Sequence, residues 1–181
     1  MTPGATRILV TPLGSIEGGL LAGLVEGLER MFPLRHMVTK GMADIEFAYD
    51  ASRMQYSAVE LLKELGSIRK EEDAKVLGVT EKDLFVPILT FVYGQAQLEG
   101  RCAVVSSFRL AMHSSERILL LGRLIKEGVH ELGHTFGLIH CKNPLCAMSF
   151  SFSLSQIDMK ESFLCGACKA VLETRLGSSG C

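Results

Sequence analysis

Residues 129–148, VHELGHTFGLIHCKNPLCAM, hold three histidines, a glutamate and two cysteines. His130 and His134 are spaced so that, on a helix, both imidazoles project from one face about 6 Å apart along the axis. Two neutral imidazoles at that spacing can share one Zn²⁺. Glu131, beside the first of them, can reach water on the metal without being a ligand. This is the HExxH pattern, and its chemistry is hydrolysis: zinc lowers the pKa of bound water to about 7 and the carboxylate takes the proton. The plain alternative is a solvated helix face that happens to carry two histidines. Three facts count against it. The pair sits late on a strongly apolar helix, Gly137 permits a sharp turn, and His140 follows to complete HExxHxxGxxH.

Cys141 directly follows His140, and both residue types bind zinc. Four-thiolate zinc takes two short cysteine pairs separated by a longer loop. Cys141-x₄-Cys146 and Cys165-x₂-Cys168 supply both pairs, with 18 residues between them. The competing readings are a redox CxxC and two disulfides. The redox reading is weakened because no strand precedes Cys165 in a βαβ setting and because a second pair is present. Adjacent side chains point in different directions, so His140 can close one site while Cys141 begins another. The expectation is two Zn²⁺ per chain, one catalytic and one structural.

The elements that must carry these residues can be read coarsely. Residues 7–13, RILVTPL, form a short apolar run bounded by turn residues and predict a buried strand. Ser15 is the expected cap of a helix with Leu20, Leu21, Leu24, Val25, Leu28 and Met31 inward, closed by Pro33. A second strand fits 34–40, and 41–50 reads as a loop. Ser52-Arg53-Met54-Gln55 has capping-box spacing and predicts a helix with Met54, Ala58, Leu61, Leu62 and Leu65 on one face. Residues 70–75 read as a solvated charge run and 76–80 as a third strand. The order strand–helix–strand–helix–strand argues for a largely parallel sheet with right-handed crossovers. Residues 91–107 read as a hairpin around Leu98-Glu99-Gly100, with 91–97 as an antiparallel edge strand. Ser114-Ser115-Glu116 opens the long metal-bearing helix, whose stripe is Ile118, Leu121, Ile125, Val129, Leu132 and Phe136; it should end near Gly137. The tail, 138–181, is loop-rich, with one more helix over about 167–176.

The extended histidine string, with Met148 downstream, resembles the metzincin metallopeptidases. The resemblance implies zinc ligation by His130, His134 and His140, Glu131 as general base, and Met148 in a turn beneath the site. It also implies a twisted sheet whose antiparallel edge strand aligns peptide substrate. The joint pattern HExxHxxGxxHC, CxM and CxxC is more specific and resembles the archaemetzincins over 130–168; over 1–129 the likeness is architectural. One spacing departs from that family's pattern: 16 residues separate Met148 from Cys165, one fewer than expected. Both cysteine pairs survive a deletion of that kind in a loop.

The fold class expected is α/β: a twisted, mostly parallel sheet with an antiparallel edge strand, an active-site helix and a small loop-rich, zinc-stapled C-terminal part. Residues 1–181 read as one catalytic domain, divided into 1–137 with the sheet and active-site helix and 138–181 with the third histidine, the methionine turn and the cysteine site. A net charge of −1 gives no reason to expect nucleic acid or an anionic membrane as partner. No stretch is apolar enough for a span or a signal peptide, so a reducing cytoplasm is the default compartment, where clustered cysteines are more often ligands than disulfides. His36, His113, Cys102 and Cys181 lack ligand-spaced partners and read as structural or functionless. Tyr93, Gly94, Gln95 and Ala96 lie on the expected edge strand and can offer backbone groups to a substrate. The leading function is a zinc-dependent peptidase acting on a peptide or protein through metal-activated water. The rivals are a non-catalytic zinc protein with a closed or vestigial histidine site, and hydrolysis of a non-peptide amide. Glu131 favours the enzyme, because a structural site has no use for a base there.

Overall fold

The computed structural model describes residue 5 and residues 7–68, 73–113 and 115–177. Its strands are β1 (Arg7–Leu13), β2 (Arg35–Val38), β3 (Tyr49–Asp50), β4 (Gln55–Ser57), β5 (Ala74–Thr80), β6 (Leu84–Phe85), β7 (Gly94–Ala96) and β8 (Cys102–Ser106). Its α-helices are α1 (Gly18–Glu29), α2 (Ala58–Ile68), α3 (Arg117–Thr135), α4 (Leu154–Met159) and α5 (Gly166–Gly177). The main sheet has the order β2-β1-β5-β8-β7, parallel except for β7, which runs antiparallel to β8 with Gly94 opposite Val105 and Ala96 opposite Ala103. A small sheet, β3-β4-β6, lies beside it.

Helices cover both faces of the main sheet, which is why β1, β5 and β8 are apolar nearly throughout instead of alternating. Ile8, Val10, Leu77, Val79, Ala103 and Val105 face one core, filled by Leu24 and Leu28 of α1 and Leu124, Val129 and Leu132 of α3. Leu9, Leu13, Val76, Cys102 and Val104 face the other, filled by Leu61, Leu62 and Leu65 of α2. The tail joins the first core through Cys146, Ala147, Met148, Ile157 and Leu164. Among the described residues no helix is long and apolar enough to cross a membrane.

Several local expectations are corrected. Ser15 does not cap α1; the helix starts after Glu17, without a side-chain cap. Ser52 opens no helix: residues 51–54 are a turn, Met54 is left-handed (φ 53°) and exposed, and α2 begins only at Ala58. The cap there is Ser57, whose Oγ accepts from the Glu60 amide at 3.3 Å. The edge strand is shorter than expected, as is β2, whereas β5 starts earlier. Of the expected charge run, residues 70–72 lie outside the described residues, and Lys75 lies within β5, with Nζ donating to the carbonyls of Gly100 (2.7 Å) and Thr135 (2.8 Å). Ile118 is exposed on α3 although it continues the apolar stripe, and α3 is preceded by Glu116 without a side-chain cap; Ser114 lies outside the described residues. Helix α4 has no counterpart in the sequence reading.

Candidate metal centres

Helix α3 carries His130, Glu131 and His134 across the core and ends in a turn that holds the His134 ring. Gly137 is left-handed (φ 86°), and the amides of Gly137 and Leu138 donate back to the carbonyls of His134 (2.9 Å) and Gly133 (3.0 Å). This Schellman ending turns the chain under the helix, so that His134 Nδ1 donates to the Leu138 carbonyl at 2.7 Å. His130 Nδ1 donates to the Ala147 carbonyl at 2.9 Å. With both Nδ1 protons committed, each neutral ring presents its Nε2 lone pair inward, and the two Nε2 atoms lie 3.1 Å apart. Two lone pairs facing each other at that distance need a cation between them. Nitrogens at about 2.0–2.1 Å from one tetrahedral zinc stand about 3.3 Å apart, so the donor set fits.

His140 completes the set: ligand atoms of His130, His134 and His140 all lie within 4.8 Å of one another. Burial holds all three imidazoles in the neutral form, His130 most strongly, and the Lys160 ammonium adds to the effect on each. Among the described residues no fourth histidine, cysteine or carboxylate joins this group, and the cleft opens beside it. The Phe150 ring packs on His140, 4.8 Å centroid to centroid. Met148 is fully buried beneath α3, against Gly133, where an added Cβ would lie 2.4 Å from its Sδ.

Glu131 is 6 % exposed and faces the same cleft. Burial, then the neighbouring Glu127, push its carboxyl well above the usual carboxylate range, and Lys160 works in the opposite direction. Its side chain lies over Gly94 of β7, where a Cβ would fall 2.6 Å from Glu131 Cγ. The cleft has two lobes along β7. One, about 240 Å³, lies beside His130 between Phe91, Tyr93, Phe150 and Phe152; the other, about 350 Å³, reaches Leu98, Ile139 and His140. Arg53 and Gln55, far from capping a helix, fix the outer wall: Arg53 Nη2 donates to the carbonyls of Leu89 (2.8 Å) and Thr90 (3.1 Å), and Gln55 Nε2 to that of Thr90 (3.0 Å).

The four cysteines form a second cluster. Ligand sulfurs of Cys141, Cys146, Cys165 and Cys168 lie within 4.8 Å of one another, with Cys141 and Cys165 at 3.7 Å. Sulfurs held at about 2.3 Å by one tetrahedral zinc stand about 3.8 Å apart, whereas a disulfide needs about 2.05 Å. Backbone amides point at the cluster: Cys165 N donates to Cys146 Sγ (3.3 Å) and Asn143 N to Cys141 Sγ (3.4 Å). The Cys168 amide, with help from the other thiols, brings the Cys165 thiol down to about 7, while burial raises those of Cys146 and Cys168. Cys141 N donates to the Met148 carbonyl at 2.9 Å, so the methionine turn and the cysteine cluster share a backbone bond.

The remaining candidates stay apart from both centres. His36 is half-buried and hydrogen-bonds the Leu34 carbonyl, His113 sits in a left-handed turn, Cys102 is buried in β8, and Cys181 lies outside the described residues. Two residues beside the histidine centre escaped the sequence reading, Glu127 and Lys160. The first stands one turn before Glu131, a helical spacing that could have found it; no spacing rule points to the second.

The model of peptidase family M54 matches residues 28–174. An archaemetzincin of Methanopyrus kandleri is 47 % identical over 135 residues, 75 % of either chain. One of Pyrococcus horikoshii is 40 % identical over 181 residues, covering 97 % of this chain and 93 % of that one. The crystal structure of the archaemetzincin from Methanopyrus kandleri matches with a TM-score of 0.85 at 37 % identity, covering 96 % of both chains. That of the Archaeoglobus fulgidus archaemetzincin complexed with malonate matches with a TM-score of 0.81 at 34 % identity, covering 91 % of this chain and 99 % of that one. By sequence over most of its length and by fold, this chain belongs to peptidase family M54, the archaemetzincins, and is a zinc metallopeptidase.

Proposed function

We propose that the chain hydrolyses peptide bonds with Glu131 as general base, one zinc held by His130, His134 and His140, and a second, structural zinc held by Cys141, Cys146, Cys165 and Cys168. One catalytic domain contains both, with the division at Gly137 separating the sheet and active-site helix from the tail. The observation that carries the reading is the pair of Nε2 atoms facing each other at 3.1 Å, with both Nδ1 atoms tied to carbonyls and a buried carboxylate in the same cleft. Zinc bound there supplies Lewis acidity and lowers the pKa of water toward neutrality.

The chain supplies the rest. β7 is the open edge of the main sheet, so an extended peptide can pair with it and lie along the cleft past Glu131. The carboxylate of Glu131 takes the proton of the attacking water and returns it to the leaving amine. Burial makes that carboxylate more basic than a solvated one, which suits the task. A donor set of three histidines with no fourth protein donor among the described residues, bordering a two-lobed cleft, favours this reading over a closed, non-catalytic site.

Glu131→Ala should keep its zinc and its melting temperature while turnover of a peptide cleaved by the native protein falls by about two orders of magnitude or more. His134→Ala should lose metal and activity together. Metal analysis and turnover on the same preparations decide it; full activity in Glu131→Ala would remove the base role.

A further inference from the structure

Glu127 stands one turn before Glu131 on α3 and lines the smaller lobe of the cleft, beside His130. It is 4 % exposed in a largely aromatic wall of Phe91, Tyr93, Phe150 and Phe152, which Ser151 and the Glu131 carboxyl also border. A carboxylate in such surroundings is costly unless a counter-charge stands next to it. Lys160, just after α4 and 1 % exposed, is that counter-charge: its Nζ lies 2.7 Å from Glu127 Oε1 and also donates to the Ser149 carbonyl at 3.3 Å. The ammonium meets Glu127 Oε1 off the line of a directed hydrogen bond, so charge more than direction holds the pair. Glu127 borders the lobe and Lys160 does not. A side chain entering the lobe therefore meets a carboxylate whose charge is already balanced from behind.

We propose that the Glu127–Lys160 pair sets the specificity of this lobe, which accepts a neutral, mostly apolar side chain of the peptide and turns away a cationic one. An incoming ammonium would give up its water and find the attraction of Glu127 offset by the repulsion of Lys160; with Glu131 committed to the attacking water, the weak attraction of a cation to the aromatic rings would be left to repay that desolvation alone. At about 240 Å³ the lobe has room for one large side chain. Lys160 is thus a specificity-determining residue that never touches the peptide. Without its charge, the same walls and the same Glu127 would make a site for lysine or arginine.

This inference rests on the reading of the histidine centre as the catalytic one, and its test separates the two. The probes are a pair of peptide hydroxamates, which bind zinc through the hydroxamate and differ only in carrying norleucine or lysine at the adjacent position. The two side chains have nearly the same shape and differ in charge. Titration calorimetry with the zinc-loaded native protein should favour the norleucine compound by about tenfold or more. Lys160→Met should abolish or reverse that preference, and Lys160→Met combined with Glu127→Gln should restore it. If Lys160→Met does not fold, Lys160→Gln, which removes the charge and keeps a donor for the Ser149 carbonyl, takes its place; a norleucine preference unchanged in the folded single variant overturns the role of Lys160. Equal binding of the two compounds by the native protein, or a preference for lysine, overturns the specificity inference and leaves the metal centre standing. Binding of neither compound overturns the metal-centre reading and this inference with it.

Discussion

Gly94 and Gly133 carry no functional group, yet each leaves the space that a functional side chain fills. A Cβ on Gly94 would lie 2.6 Å from Glu131 Cγ and 2.7 Å from the Val104 carbonyl. Gly94→Ala should retain zinc and lose about tenfold or more in turnover, because a displaced base costs far more than the added methyl group suggests. Unchanged turnover would mean that Glu131 has slack. Gly133→Ala tests the floor of the site. Helix propensity alone would make alanine more stable by about 1 kcal/mol, but Met148 is fully buried and its Sδ stands in the way. Overpacking should win, lowering the melting temperature by the equivalent of about 1–3 kcal/mol. At this scale the two clusters of donor residues were legible and their supports were not. Zinc restricts residue type and spacing, so three histidines and four cysteines announce themselves in the sequence. The carbonyls of Ala147 and Leu138 that orient His130 and His134 belong to no residue type, and the Lys160 partner of Glu127 comes from a distant stretch with no periodicity to betray it.

Helix α4 is short, and the contacts that fix it to α3 are charged. Arg123, 5 % exposed, donates through Nε and Nη2 to both oxygens of Asp158 at 2.7 Å, and through Nη1 to the carbonyls of Leu110 and Met112. Those bonds hold the Asp158 carboxyl below the usual carboxylate range. Its contribution is therefore complete above the unfolded value of about 3.9 and is lost as pH falls through the lower folded value. Asp158→Asn should cost roughly 1–2 kcal/mol at neutral pH, moderated because Asp158 is itself partly in water. In a melting series from pH 7 downward, the gap between native and variant should close below pH ~4; a constant gap would assign the loss to packing. The long elements were legible because their apolar periodicity is long: β1, β5, β8 and α3 are close to where their patterns put them. The small sheet was not, since β3, β4 and β6 are too short for any period to register. The serine signal at Ser52 was real chemistry in the wrong element: Asp50 accepts from its amide and hydroxyl in a turn, while Arg53 and Gln55 hold the cleft wall.

The molecule as a whole should hold two zinc ions, one in each cluster, because the two donor sets share no atom. Cys165→Ser should lower the metal content of purified protein from about two zinc ions per chain to about one, and it should unfold earlier, since structural zinc contributes directly to folding. A single zinc in fully folded, freshly isolated native protein would rule out the second site. The two ends of the main sheet also differ in a way that matters for the free protein. β2 closes one side with Arg35 and His36 ahead of Met37 and Val38, and its arginine is a charge of the kind that discourages another strand from adding there, whereas β7 closes the other with Gly-Gln-Ala and no charge at all. Exposed Leu98 and Leu89 flank it. An unguarded edge is what a passing peptide needs, and it is equally open to the edge of a neighbouring or partly unfolded chain. Its brevity is the remaining safeguard: three residues give an intruder few backbone bonds, enough to guide a substrate that zinc also holds, too few to seed an aggregate.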